Sequence, residues 1–390
     1  MKKIGIVTST RADYGLLRNL INKIEKDHDL NLCLIVTGMH LSPEFGMTIN
    51  EIINDGYPIT EKIDILMSSD NASAISKTMG IASLSFADAF ERQKPDLLIV
   101  LGDRHELLPI CSCALNALIP IAHISGGETT EGAVDESIRH CITKMSYLHF
   151  PACEAYRKRI VQLGESPVRV FNLGDVGVEQ IRTIDLIEKN QLEKLINFSM
   201  KEPYACVTFH PTTLEDGSAR EQIVELLKAI SNFPEMRFIF TKANSDADGR
   251  IINEMIEKYV FENENCIAFT SLGAQRYLSC IKYAFAVIGN SSSGIVEAPS
   301  FGVPSINIGD RQKGRLQASS IINCKPLATD IIEAINISRT EEFKDQAKNT
   351  INPYGSDNTS DRIIGVIKSY LYKNKIDLKK KFYDIEFDLK

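Results

Sequence analysis

Ionisable residues cluster in three short segments of the first half of the chain. Asp103 and Arg104 follow an apolar run, Glu128 follows two glycines, and Asp135 and Glu136 are adjacent in an amphipathic stretch. Carboxylates that converge on one cleft supply the groups for general acid–base catalysis. Crowding and burial push their pKa values apart, so that one carboxyl can donate a proton while another accepts one. These carboxylates are therefore candidate catalytic groups.

The same residues also have plainer structural interpretations. Asp103 would serve equally well as the cap of the helix that follows it. Asp135 and Glu136 stand four residues before Arg139 and His140, a spacing that is typical of ion pairs on a helix surface. Both interpretations stay open at the level of the sequence.

A further polar segment follows the first apolar run, Ile4–Val7. Arg11 and Asp13 lie there, immediately before apolar residues at helical spacing. A cation beside the N-terminus of a helix is typical of an anion-binding site. Alternatively, Asp13 caps the helix and Arg11 pairs with it.

The second half of the chain places polar residues in equivalent positions. His210 follows the apolar run Ala205–Phe209, and Asn244 follows the next run, Phe238–Phe240. A single histidine is more often structural than catalytic, but both residues stand where a ligand would be expected.

The most informative motif is Gly289-Asn290-Ser291-Ser292-Ser293-Gly294, followed by Glu297. Backbone N–H groups and hydroxyls at the start of a helix suit a diphosphate, and Glu297 would reach a ribose diol. Arg311 lies in the next polar loop, 309–315, and supplies positive charge. The spacing matches neither a P-loop nor the glycine fingerprint of nicotinamide dehydrogenases, and no metal-binding motif occurs.

Short apolar runs alternate with amphipathic segments along the whole chain. The predicted strands are Ile4–Val7, Leu32–Val36, Leu97–Leu101, Ile119–Ile124, Ala205–Phe209, Phe238–Phe240, Ile267–Phe269, Phe285–Ile288 and Val303–Ile308. Near-continuous apolar strands separated by helices predict parallel sheets that are covered on both faces. Ligands of such sheets bind beyond the carboxyl ends of the strands, where the polar segments lie.

The strand–helix pattern restarts near residue 205, which predicts two Rossmann-like, doubly wound α/β domains with a cleft between them. We place the first domain at residues 1–174 and the second at residues 175–355. The amphipathic segment 356–372 is expected to pack back on the first domain. With acids in one domain facing a diphosphate site in the other, this arrangement is that of a nucleotide-sugar enzyme of the GT-B type.

Composition excludes several other classes of protein. The chain has 390 residues, a formal charge of −7 and 44% hydrophobic residues, as a globular protein would. The acidic balance without a basic stripe disfavours nucleic acid as a partner. Apolar runs are too short for a membrane span, and the N-terminus does not resemble a signal peptide. Nine irregularly spaced cysteines indicate reduced thiols, and we expect a cytoplasmic protein.

The motifs together resemble those of the hydrolysing UDP-N-acetylglucosamine 2-epimerases of bacterial sialic-acid pathways. The segments that carry this resemblance are Thr10–Tyr14, Thr37–His40, Gly102–Arg104, Gly126–Glu128, Asp135–His140, Phe209–Pro211, Gly289–Gly294 and Gly309–Arg315. They extend over most of the chain, and their joint occurrence in this order is far more specific than any one of them.

The resemblance implies a reaction in two stages. UDP leaves the anomeric carbon while the C2 proton is removed, which gives a 2-acetamidoglucal. Water then adds at C1 and a proton returns to the opposite face of C2, so that the products are N-acetylmannosamine and UDP. The scheme requires neither a metal nor a cofactor.

The resemblance also implies roles for individual residues. The implied catalytic residues are Asp103, Glu128, Asp135, Glu136 and His210. The implied substrate-binding residues are Arg11, Asp13, His40, Arg104, Asn244, Asn290, Ser291, Ser292, Gly294, Glu297 and Arg311.

Several alternatives remain. Relatives in legionaminic-acid pathways act on UDP- or GDP-linked N,N'-diacetylbacillosamine, which differs at sugar C4 and C6, positions that the motifs do not report. A GT-B glycosyltransferase or a nucleotide-sugar sensor without catalytic activity would share the fold. A UDP-sugar is the expected partner, and the resemblance implies a homodimer or homotetramer.

Overall fold

A computed structural model describes residues 1–215, 217–374, 376–386 and 388. Its strands form two separate sheets, each of six parallel strands. The strands of the first sheet are β1 (Lys2–Thr8), β2 (Leu30–Thr37), β3 (Ile59–Ile63), β4 (Leu97–Leu101), β5 (Ile121–Ile124) and β6 (Leu148–Phe150). Those of the second sheet are β7 (Tyr204–Thr208), β8 (Arg237–Thr241), β9 (Cys266–Phe269), β10 (Ala286–Gly289), β11 (Ser305–Ile308) and β12 (Ile321–Cys324).

Helices connect the strands of each sheet and cover both of its faces. The α-helices are α1 (Arg11–Glu25), α2 (Ile49–Asn54), α3 (Ala72–Gln93), α4 (Leu107–Asn116), α5 (Asp135–Met145), α6 (Glu154–Gln162), α7 (Val176–Thr183), α8 (Lys189–Ile196), α9 (Ser218–Ile230), α10 (Gly249–Glu262), α11 (Gly273–Tyr283), α12 (Ser292–Val296), α13 (Ala328–Ser338), α14 (Glu341–Lys348) and α15 (Thr359–Lys368). Short 3-10 turns lie at Gly38–Leu41, Pro43–Phe45, Pro167–Arg169 and Ala298–Phe301, and a π turn at Ser369–Lys373 follows α15.

The two sheets have the same topology. The strand order is β3-β2-β1-β4-β5-β6 in the first and β12-β11-β10-β7-β8-β9 in the second. Both are the doubly wound Rossmann order, in which the direction of winding reverses between β1 and β4 and between β7 and β10. The predicted fold class, two Rossmann-like α/β domains, is confirmed. Each reversal opens a crevice at the carboxyl ends of the central strands.

The central strands form because both of their faces are buried. Every residue of β4, Leu97–Leu101, is buried, since helices cover the sheet on each side. The sequence pattern does not predict β3, β6 or β12, and all three are edge strands. β3 alternates partly exposed and exposed residues, β12 is mostly half-exposed, and β6 has only three residues. An edge strand has one neighbour and therefore needs no long apolar run.

The end of the chain returns to the first sheet. Ile363, Ile364 and Ile367 of α15 belong to the apolar core that contains α1 and β1. Helix α7 contacts both α1 and α15. The division of the chain at residue 174 stays a prediction. In the described part of the chain, no helix has both the length and the apolar character that crossing a bilayer requires.

Candidate active site

A cavity of about 280 Å³ lies between the carboxyl ends of the two sheets. Loops after β1, β4 and β5 form one wall, and loops after β7, β8, β10 and β11 form the other. Of the residues predicted for the site, those that line this cavity are Arg11, Asp13, Asp103, Arg104, Glu128, Asp135, His210, Asn244, Ser291, Ser292, Glu297 and Arg311. The structure therefore brings both halves of the predicted site to one cavity.

Four predicted residues, Glu136, His40, Asn290 and Gly294, are not among those that line the cavity. Glu136 follows Asp135 on α5, and successive side chains of a helix point about 100° apart. The Glu136 carboxylate instead accepts from the backbone N–H of Thr130 at 2.5 Å and pairs with Arg139 at 2.9 Å and His140 at 3.1 Å. The predicted Glu136–His140 pair is thus present, and Asp135 is left to face the cavity.

His40 and Asp13 form part of a buried network, in which Asp13 lines the cavity and His40 lies behind it. Nε2 of His40 lies 2.9 Å from the Thr8 hydroxyl and 3.8 Å from the Asp13 carboxylate. Asp13 and Thr10 complete a capping box at the start of α1, as the structural interpretation predicts. Burial alone would raise the pKa of Asp13, but His40 and the hydrogen bonds that the Asp13 carboxylate accepts from Ser9 and Thr8 lower that pKa. Asp13 therefore orders the loop as an anion.

Arg11 does not pair with Asp13. Its guanidinium donates to the backbone carbonyl of Lys242 at 2.9 Å, so it reaches across to the second domain. Among the described residues, the side-chain partner of Arg11 is thus a backbone carbonyl and not a carboxylate, and its guanidinium adds positive charge to the cavity.

Asn290 and Gly294 support the serine loop from behind. The Asn290 side chain accepts from the backbone N–H of His210 at 2.7 Å and donates to its carbonyl at 2.8 Å, which ties the loops after β7 and β10 together. A side chain at Gly294 would meet the Ser305 hydroxyl at 2.6 Å. Both residues are needed for close packing of the loop.

The serine loop presents hydroxyl and N–H groups to the cavity at the start of α12. The Ser291 hydroxyl accepts from the backbone N–H of Ser293, and the Ser293 hydroxyl donates to the Glu297 carboxylate. Burial raises the pKa of Glu297 to about 7. Burial, followed by the charge of Arg311, lowers the pKa of His210 to about 3, so this imidazole is neutral at pH 7.

Several buried polar atoms at the cavity lack a partner. Among the described residues, no hydrogen bond is recorded for Nε of Arg311, Nε of Arg315 or Nδ1 of His210. Unpaired buried donors are costly, because they have lost their hydration without replacing it. The cationic wall of the cavity therefore suits an anion with several oxygen atoms.

Glu128 and Arg315 form an ion pair across the cleft. Their carboxylate and guanidinium are 2.6 Å apart, and both side chains are buried. Burial raises the pKa of Glu128 to about 7, although Arg315 acts in the opposite direction. Glu128 can therefore exchange a proton near neutral pH.

Arg139 is the centre of the carboxylate wall. It is fully buried, pairs with Asp103 and donates to the carbonyl of Glu128 and the hydroxyl of Thr130, each at 3.0 Å. The predicted pair between Arg139 and Asp135 is not formed, since Arg139 points toward the loop after β4. Asp103 does not cap α4, because the N-cap of that helix is Glu106.

Comparison with known proteins identifies the family. A family model described as "UDP-N-acetylglucosamine 2-epimerase" matches residues 22–368, which is most of the chain. The chain belongs to this family. The family predicted from the motifs is confirmed, and with it the general class of nucleotide-sugar epimerases.

Two relatives of the family cover almost the whole chain. The chain is 44% identical over 384 residues to the "GDP/UDP-N,N'-diacetylbacillosamine 2-epimerase (hydrolyzing)" of Campylobacter jejuni subsp. jejuni, which covers 97% of this chain and 99% of that protein. It is 41% identical over 386 residues to the "Polysialic acid biosynthesis protein P7" of Escherichia coli, with 99% and 98% covered.

A solved member of the family has the same fold. The UDP-GlcNAc 2-epimerase from Neisseria meningitidis, bound to UDP-GlcNAc in its crystal structure, superimposes with a TM-score of 0.80. It is 18% identical and covers 95% of this chain and 100% of its own. At this identity the likeness shows the fold.

Asp175, the N-cap of α7, lines the cavity and was missing from the predicted set. Three charged residues that form ion pairs at the site, Arg139, Arg315 and Asp246, were missing as well. Arg139 and Arg315 lie inside the family motifs, and Asp246 lies two residues after Asn244. Nη1 of Arg104 donates to Asp246 at 2.5 Å. Each of these three charged residues has an ion-pair partner that is distant in sequence. The only feature of the local sequence that could have indicated a role was therefore the position after a strand or within a motif. In the described residues, no cluster of histidine, cysteine and carboxylate side chains has the geometry of a metal site.

Proposed function

We propose that this protein is a hydrolysing 2-epimerase of a nucleotide-linked 2-acetamido sugar. The bond between C1 and the diphosphate oxygen breaks, its electron pair leaves with the nucleoside diphosphate, and the C2 proton passes to an enzyme base. The resulting glycal then takes up water: the hydroxide part bonds to C1, and a proton returns to the other face of C2. The free sugar and the nucleoside diphosphate are the products.

The opposed charges of one cavity carry this proposal. Asp103, Glu128 and Asp135 line the wall from the first domain, while Ser291 and Arg311 line the wall from the second. Cleavage at C1 builds positive charge on the sugar and negative charge on the leaving diphosphate. Carboxylates stabilise the first charge, and a guanidinium with helix N–H groups stabilises the second.

The protonation states suit the proposed acid and base steps. Asp103 lines the cavity and is held in place by its ion pair with Arg139, so it is the candidate proton acceptor. Glu128 has a pKa of about 7, and burial and the negative charge of Asp246 raise the pKa of Asp135. Glu128 can therefore carry the proton that returns to C2, and Asp135, which also lines the cavity, is the second candidate donor. His210 is neutral and lies on the diphosphate side.

For the sugar, we favour N,N'-diacetylbacillosamine linked to UDP or GDP. The support is the name of the Campylobacter relative, with which this chain shares 44% identity over nearly its whole length. UDP-N-acetylglucosamine, the first expectation from the motifs, is the second candidate, because the description of the family names it. A cytoplasmic location and a homodimer or homotetramer stay predictions.

Incubation with each nucleotide sugar in heavy water tests the proposal. UDP-N-acetylglucosamine and the UDP and GDP forms of N,N'-diacetylbacillosamine are supplied separately, and the free sugar is identified by NMR. We expect the diacetylated sugar to be released with inverted C2 and deuterium at that carbon. Release without deuterium would contradict elimination, and preference for the monoacetylated sugar would overturn the substrate.

Two other functions give different results in the same assay. A GT-B glycosyltransferase would need an acceptor and would release no epimerised sugar from the donor alone. A nucleotide-sugar sensor would bind the nucleotide sugar, as calorimetry would detect, and leave it intact.

A further inference from the structure

Arg104 and Asp246 connect the two domains beside the cavity. Arg104 follows β4 of the first domain, and Asp246 follows β8 of the second. The Arg104 guanidinium donates to the Asp246 carboxylate at 2.5 Å and to the Ser245 hydroxyl at 3.2 Å. Asp246 is 7% exposed, and the Arg104 side chain is 13% exposed. Loss of either member of an ion pair this well buried would leave the other charge uncompensated.

Asp135 lies near the same charged groups as Asp246 but, unlike Asp246, is not part of an ion pair in the part of the chain that the structure describes. The Arg104 guanidinium also contacts the Glu106 carboxylate at 3.4 Å. Its side-chain partners are therefore Asp246, Ser245 and Glu106. The Asp135 side chain lines the cavity. It forms no hydrogen bond and no ion pair with any of the described residues. Arg104 lines the same cavity, and its charge acts on Asp135. The Asp246 carboxylate thus occupies a guanidinium that lies within electrostatic reach of Asp135.

We propose that Asp246 is a positioning residue, which keeps Arg104 away from Asp135 so that the Asp135 carboxyl stays unpaired and faces the cavity. The Arg104–Asp246 ion pair forms only when the two domains are together, because Arg104 and Asp246 come from opposite sides of the cleft. The proposal deepens the proposed function and rests on it, since it takes Asp135 as a group that transfers a proton.

The charges around both carboxyls agree with this role. Burial and Asp246 raise the pKa of Asp135, against the lowering effects of Arg311, Arg104 and His105. For Asp246, burial alone would raise the pKa, but the positive groups that face it lower the pKa. These groups are Arg104, Arg311, His210 and His105. The same group of charges therefore moves the two pKa values in opposite directions, that of Asp246 down and that of Asp135 up.

The variant Asp246→Asn tests the proposal, because it removes the charge and preserves the size of the side chain. Without Asp246, Arg104 is free to pair with Asp135, and the pKa of Asp135 falls. The alkaline limb of the kcat–pH profile, where the proton-donating group loses its proton, is then expected to move down by roughly one pH unit. The substrate is the nucleotide sugar that the wild-type protein turns over.

The variant Glu44→Gln is the matched control. Glu44 pairs with Arg250 at 2.7 Å, also between the two domains, and both side chains are substantially exposed. This change removes one interdomain ion pair and leaves the charges around Asp135 in place. We expect its alkaline limb to stay at the wild-type position, which separates the effect on Asp135 from a general loosening of the cleft.

Each outcome has a defined meaning. An unchanged limb in Asp246→Asn, or an equal shift in Glu44→Gln, would overturn the role of Asp246. If Asp246→Asn fails to fold, Asp246→Ser removes the same charge with a smaller side chain. Failure of both while Asp246→Glu folds would mean a structural role and would also overturn it. Failure of the proposed function is seen separately, as wild-type protein that releases no epimerised sugar.

Discussion

The carboxylate of Glu128, in the first domain, lies 2.6 Å from the guanidinium of Arg315, in the second. Because the pair crosses the cleft, the position of Arg315 in the second domain affects the pKa of Glu128 in the first. Arg315 lowers the pKa of Glu128, whereas burial raises that pKa to about 7. The cleft thus holds a carboxyl whose pKa lies near neutral pH.

Replacement of Arg315 by glutamine is expected to raise the pKa of Glu128 above 7. Burial then acts without the opposing positive charge, so the limb of the kcat–pH profile that follows Glu128 moves to higher pH. We also expect turnover at pH 7 to fall roughly 100-fold, because charge stabilisation is lost in a buried site. Lys313→Gln is the control, since Lys313 lies in the same loop with its side chain 58% exposed. An unshifted profile in Arg315→Gln would show that Glu128 does not control either limb.

The variant Asp103→Asn should lower kcat at least ~100-fold, because an amide cannot accept the C2 proton. The measurement is turnover under saturating nucleotide sugar. Asp96→Asn is a matched change at the opposite end of β4, where Asp96 pairs with Lys2 at 2.8 Å, and should retain wild-type kcat. Near-normal turnover by Asp103→Asn would remove Asp103 from the mechanism.

Arg139 is expected to be essential for stability. Arg139→Met leaves the carboxylates of Asp103 and Glu136 without their shared guanidinium, and loss of one partner of a buried pair costs about 3–5 kcal/mol. Urea unfolding measures the change in the free energy of unfolding. Arg157→Met, in the half-exposed pair with Glu154, should change it little. Equal effects of the two substitutions would contradict the central position of Arg139.

The turn before the serine loop requires glycine at position 289. Gly289 has φ of +133°, and a Cβ there would lie 1.9 Å from the carbonyl oxygen of Thr208. We expect Gly289→Ala to lower the free energy of unfolding by more than about 2 kcal/mol. Gly80→Ala, at an open position of α3, should be neutral or stabilising by up to about 1 kcal/mol. A Gly289→Ala protein as stable as the wild type would exclude this steric requirement.

The sequence alone determined the fold class and the edge of each sheet at which the site lies. Central strands such as β4 are buried on both faces and must be continuously apolar, so they stand out. Polar segments that follow such strands collect at one end of a parallel sheet, which is why Asp103, His210 and Ser291 could be assigned to a cleft. The edge strands β3 and β12 give no comparable signal because they are mostly part-exposed or exposed, and β6 gives none because, although buried, it has only three residues.

Only the tertiary structure decided which charges meet. Asp135 and Glu136 are adjacent in sequence, yet the phase of α5 sends one to the cavity and the other to Arg139. Glu128 meets Arg315, and Arg104 meets Asp246, through contacts between domains. Local pattern reports the burial and periodicity of a segment, whereas an ion pair between distant segments depends on how the two sheets face each other. The proton affinities of the site follow from that second arrangement.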